Sequence, residues 1–89
     1  MKILVIVPAY NEQDNICKTV ADIKENGGNV DYIVINDCSK DRTKDILREN
    51  NITYLDLPIN LGIGGGVQSG YIYALENGYD IAIQFDGDG

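Results

Sequence analysis

Four short apolar runs alternate along the chain with three segments whose apolar residues recur at helical spacing. The run 3–7 (Ile-Leu-Val-Ile-Val) is uninterrupted and rich in β-branched residues. That suits a strand covered on both faces in a parallel sheet, with Pro8 expected to end it. Over residues 14–26, Ile16, Val20 and Ile23 fall on one helical face, with Asp14 or Asn15 available as N-cap and Gly27 placed to stop the helix. A second strand is expected at 32–35. A short helix follows at 42–50, with Ile46 and Leu47 inward and Ser39 or Asp41 as cap. The third strand is expected at 53–57 and the fourth at 81–85. Between them the spacing predicts a helix over 67–77 that buries Val67, Gly70, Tyr71, Ala74 and Leu75 and is closed by Gly78.

Regular alternation of strand and helix with short connections implies an α/β fold: a mostly parallel sheet with flanking helices, Rossmann-like, joined by right-handed crossovers. With 89 residues the chain makes one small domain. No repeat or low-complexity linker interrupts it.

On this frame the unusual residues gather at one edge. Residues 8–12 follow the first strand, 36–41 the second, 60–66 the third and 86–88 the fourth. In open α/β sheets ligands bind outside the carboxyl ends of the strands, where neighbouring loops diverge. Each cluster by itself is ordinary turn composition. Four of them on the same edge indicate a site.

Charge narrows the ligand class. The chain carries 14 acidic and 7 basic residues, a net charge of -7, so it has no basic face to neutralise a nucleic-acid backbone, and nucleic-acid binding is excluded. An acidic protein that handles an anionic substrate needs a cation or backbone amides to offset the repulsion. Cys17 and Cys38 fit neither a redox pair nor a zinc spacing, which points to a reduced, cytosolic compartment. Residues 57–75 lack charge, but Pro58, Asn60, Gln68, Ser69 and five glycines argue for a buried loop and helix rather than a membrane span.

The clusters suggest specific chemistry. In Asp86-Gly87-Asp88 two carboxylates lie so close that a cation is the simplest neutraliser; their hard oxygens suit Mg2+ or Mn2+, which usually bridges to substrate phosphates. Gly62, Gly64, Gly65 and Gly66, read as preceding the third helix, allow close backbone approach and free amides at a helix start, although tight packing of helix on sheet explains them equally well. Asp37 comes too early to cap the helix that follows it and can accept hydrogen bonds from a base or ribose, whereas Ser39 and Asp41 suit capping. Pro8-Ala9-Tyr10-Asn11-Glu12 offers a rigid turn, an aromatic face and a carboxylate.

Taken in order, Pro8-Ala9-Tyr10-Asn11-Glu12, Asn36-Asp37-Cys38-Ser39-Lys40-Asp41, Asn60-Leu61-Gly62-Ile63-Gly64-Gly65-Gly66 and Asp86-Gly87-Asp88 resemble the family 2 glycosyltransferases of the GT-A fold, nearest the branch with polyprenyl-phosphate mannose and glucose synthases. The resemblance implies transfer of a hexose from a UDP- or GDP-sugar to a lipid phosphate or glycan with inversion. Pro8, Ala9, Tyr10 and Glu12 would then line the nucleoside pocket, with Asp37 on the base or ribose and Gly87 against the ribose. Asp86 and Asp88 would meet the diphosphate through the metal. It further implies that residues 1–89 are the donor half of a larger domain, inactive alone and lacking the family's general base. The parent protein would work at the inner face of the membrane, and the sheet edge left open would favour self-association. Two departures stand out: where the family commonly has Asp-Asp-Gly-Ser, this chain has Asn36 for the first Asp and Cys38 for the Gly. Two alternatives remain at this point. One is a non-catalytic nucleotide-binding scaffold; the other is a phosphohydrolase with Asp86 as nucleophile.

Overall fold

A computed structural model of the chain describes residues 1–59 and 62–85. Seven elements follow one another: β1 (Ile3–Ala9), α1 (Ile16–Asn26), β2 (Asp31–Asn36), α2 (Thr43–Glu49), β3 (Tyr54–Asp56), α3 (Gly62–Glu76) and β4 (Ile81–Gln84). The four strands form one sheet in the order β3-β2-β1-β4, and every pairing is parallel. The expected α/β class is therefore what forms.

Alternation along β1 sorts the core into two layers. Leu4 and Ile6, with Ile33 and Ile35 of β2, pack beneath Ala74 of α3. Val7 and Ala9, with Val34, pack on the opposite face against Ile16, Val20 and Ile23 of α1 and Leu47 of α2. Leu4 and Ile6 are fully buried, and each such side chain contributes about 1.5–3 kcal/mol by leaving water.

Four sequence expectations need correction. Pro8 does not end β1 but lies inside it, paired with Ile35. Ile6 accepts the Phe85 amide while Ala9 accepts that of Asp37, so Pro8, in phase with Ile6, faces the side on which β4 has already stopped. It has no N–H to return to Phe85 on that side, and the β1–β4 pairing ends at Ile6 and Gln84.

The glycines do not precede α3: its first turns contain them, and Gly62 starts it at φ +75°. The buried stripe of α3 is also narrower than expected, because Tyr71 and Leu75 are 45% and 82% exposed. Gly70 faces the sheet, where an added Cβ would lie 2.5 Å from Ile6 Cγ2, and Tyr71 and Leu75, each one position beyond buried Gly70 and Ala74, lie off that face.

Finally, Asp41 holds the start of α2 as expected, accepting the Thr43 amide at 2.9 Å, whereas Asn15, the N-cap residue of α1, makes no side-chain cap. The Glu12 carbonyl accepts the amides of Asn15 and Ile16 instead. Gly78, at φ +74°, does close α3. Among the described residues, no helix is long and apolar enough to cross a membrane.

Candidate functional site

The loops after β1 and β2 are fastened to each other at the carboxyl edge of the sheet. The Asn11 amide donates to Ser39 Oγ (3.0 Å) and the Lys40 amide to Asn11 Oδ1 (2.8 Å). Further along both loops, the Glu12 amide donates to Thr43 Oγ1 (2.8 Å), and the Arg42 amide to Gln13 Oε1 (2.9 Å). The Asp37 amide donates to the Ala9 carbonyl at 2.9 Å, extending the sheet pairing into the loops. Asn11 and Cys38 both adopt left-handed backbone, φ 53° and 57°, a conformation uncommon for residues other than glycine that needs support from its surroundings.

Asp41 anchors the start of α2. Partial burial works against its charge, yet donors from the Thr43 hydroxyl and from the amides of Thr43 and Gln13 outweigh that cost and hold its pKa below the usual 3.8. Thr43, fully buried, accepts from Glu12 and donates to Asp41. Sequence reasoning passed over Thr43; the signal was a threonine two residues after an aspartate at a helix start, the pattern of a local side-chain cap. Ser39, expected as a cap, instead bridges Asn11 and Asn36.

The third loop joins through Asp37. Its carboxylate is buried, 7% exposed, and accepts the Gly62 amide at 2.9 Å. Asp37 thus serves the start of α3 from a neighbouring strand, a capping role that local spacing could not reveal.

The proposed site residues therefore separate. Tyr10 is exposed, Pro8 and Glu12 are half-buried, and Gly64 is exposed in the first turn of α3 with nothing within 4 Å of where a Cβ would be. Ala9 contributes its methyl to the core under α1. Asp86, Gly87 and Asp88 lie outside the described residues. An open apolar groove beside α1, lined by Val5, Asp22, Ile23, Asn26, Gly27 and Phe85, involves none of the loop residues. Both cysteines are free thiols.

A doubly flanked parallel sheet whose carboxyl-edge loops are tied into one polar rim defines a Rossmann-like α/β domain. Its lineage follows from comparison with known proteins. The profile of Glycosyl transferase family 2 matches residues 4–89, and the chain belongs to that family. It is 30% identical to an undecaprenyl-phosphate mannosyltransferase of Micrococcus luteus, with 100% of the chain aligned to 39% of that protein. It is 33% identical to a dolichyl-phosphate beta-glucosyltransferase of Trichomonas vaginalis, where 94% of the chain aligns to 29%. With a UDP-N-acetylglucosamine–dolichyl-phosphate N-acetylglucosaminyltransferase of Methanococcus voltae the identity is 34%, over 98% of the chain and 41% of the relative. The chain thus spans well under half the length of these relatives.

Proposed function

We propose that this chain forms the donor-binding half of a glycosyltransferase that moves a hexose from a UDP- or GDP-sugar to a polyprenyl phosphate or glycan, with inversion. One observation carries the reading. Strand order reverses between β1 and β4, and ligands of open α/β sheets occupy the crevice at such a switch. Pro8 lies near the end of β1 there, Tyr10 and Glu12 follow it, and Asp86, Gly87 and Asp88 follow β4 in the sequence.

Each residue has a part. Exposed Tyr10 offers a ring for stacking on the base, and Glu12 and Asp37 offer carboxylates to the base or ribose. Gly62 and Gly64, in the first turn of α3, let a phosphate approach backbone amides at a helix start. For Gly64 the support is specific: among the described residues no contact explains a glycine there.

Metal dependence is part of the proposal. Among the described residues, no three His, Cys, Asp or Glu side chains come together, so Mg2+ or Mn2+ would depend on Asp86, Asp88 and diphosphate oxygens, a hard donor set that fits either ion. Once bound, such an ion supplies Lewis-acid stabilisation of the charge on the departing diphosphate. In a chain of net charge -7 it also offsets repulsion of the donor.

The named substrates of the relatives favour a lipid phosphate as acceptor. The proposal puts the whole protein in the cytoplasm, at the inner face of the membrane. Among the described residues β4 is the last strand on its side of the sheet, and an edge left unpaired there favours self-association.

Calorimetric titration of the purified chain with UDP and GDP, with and without Mn2+, tests the reading. Metal-dependent binding that disappears in Asp88→Ala is expected. A folded chain that binds neither nucleotide would overturn the assignment of a donor site to these residues.

A further inference from the structure

Asn36 is 1% exposed, and both ends of its side-chain amide are engaged. Its Nδ2 donates to Asp56 Oδ1 at 2.8 Å, across the β2–β3 pairing in which the two residues are direct partners. The second Asp56 oxygen, Oδ2, is 2.9 Å from Lys44 Nζ. An ionised carboxylate can only accept, so Asp56 fixes the orientation of the Asn36 amide and turns its Oδ1 toward Ser39.

Ser39 must then donate to Asn36, which it does. With its proton committed, Ser39 Oγ is left as acceptor for the Asn11 amide at 3.0 Å. Asn11 in turn accepts the Lys40 amide. Donation therefore runs in one sense from the β1 loop, through the β2 loop, to a single carboxylate on β3, and the left-handed Asn11 backbone is held from both sides.

We propose that Asn36 and Asp56 are a charge-matched positioning pair that sets the shape of both loops of the donor site. An aspartate at position 36 is incompatible with Asp56, because two acceptors would face each other about 3 Å apart without a proton between them. That accounts for Asn36 where the family's common pattern has aspartate: the acidic partner sits on β3. The inference rests on the donor-site reading for its bearing on nucleotide binding, but not for the loop conformation itself.

The test is residue-resolved amide hydrogen exchange at Asn11 and Lys40 in the parent chain, N36D, D56N and N36D/D56N, with nucleotide Kd measured on the same samples. N36D should exchange both amides about tenfold faster and weaken nucleotide binding in parallel. The double variant restores a donor facing an acceptor, and should bring exchange to within about twofold of the parent. Unchanged exchange in N36D, or no recovery in the double variant, overturns the pair. If N36D does not fold, recovery of folding in the double variant supports the pair, and failure of both overturns it. If the exchange pattern appears in a parent chain that binds no nucleotide, the donor-site reading fails and the positioning pair stands.

Discussion

The Asp37 carboxylate, at the end of β2, accepts the backbone amide of Gly62, the first residue of α3, at 2.9 Å. Because Gly62 has φ +75°, the contact joins a strand end to a turn that favours glycine. Losing a buried acceptor of this kind costs about 1–2 kcal/mol. Asp37→Ala should therefore lower the melting temperature measurably. Asp37→Asn keeps an acceptor and should melt close to the parent, while nucleotide affinity in the donor-site reading falls about tenfold with loss of the charge. Equal loss of stability and affinity in both variants would assign Asp37 to the fold alone.

Two glycines of α3 should respond in opposite directions. At Gly70 an added methyl meets Ile6 Cγ2 at 2.5 Å and Cγ1 at 2.9 Å, and overpacking of this kind costs about 1–3 kcal/mol, more than the roughly 1 kcal/mol gained in helix propensity. Gly64→Ala meets nothing within 4 Å and should be neutral or stabilising by up to about 1 kcal/mol. Denaturant melts of the two variants check the contrast. Calorimetry on Gly64→Ala checks whether nucleotide approaches that backbone, in which case affinity drops without any loss of stability.

Cys38 bears a left-handed backbone, φ 57°, and its thiol makes a long 3.7 Å contact to the Pro58 carbonyl. A side chain in that region costs about 1–2 kcal/mol; glycine removes that cost, and the greater freedom of its unfolded chain offsets part of the gain. Cys38→Gly should hold or raise the melting temperature, and Cys38→Val, β-branched at positive φ, should lower it. A fall with glycine would show that the thiol contact outweighs the backbone.

Tyr79 supplies a pH signature. Its hydroxyl donates to Asp31 Oδ2 at 2.7 Å, and this bond, with burial and the Asp31 charge, raises its pKa from 10.0 to about 12. A group whose folded pKa is raised contributes stability that is complete below the unfolded value and lost as pH climbs through the folded one. Tyr79 therefore stabilises the fold below pH 10 and ceases to do so between pH 10 and 12. Ultraviolet titration of phenolate absorbance should show one late-titrating tyrosine that is missing in Tyr79→Phe; identical curves for the two chains would refute the bond.

The two periodicities made all seven elements legible, because β1 and β2 are buried on both faces and α1 carries one clean stripe. What escaped had non-local causes. Pro8 reads as a strand end unless the neighbour has already stopped, which depends on β4, more than 70 residues away in the chain. The start of α3 was hidden by glycines, whose weak helix propensity is overridden by docking against Ile6 and Ile35. Within the site, the clustering of polar residues at one edge could be read from order alone. The tying of Ser39 to Asn11, of Asp37 to Gly62 and of Asn36 to Asp56 could not, since each bond crosses between strands or loops that meet only in the sheet.

The central position of β1 bears on how the chain is made. β1 pairs with β2 early in the sequence but with β4 only at residues 81–84. Roughly 50 residues are added between completion of those two partners, an interval of about 2–10 s at ordinary rates of translation. Through that interval the most apolar strand of the chain stands as an open edge, able to recruit another nascent chain. Expression at lower temperature, or with a holdase that shields extended apolar strands, should raise the soluble yield without altering the finished fold.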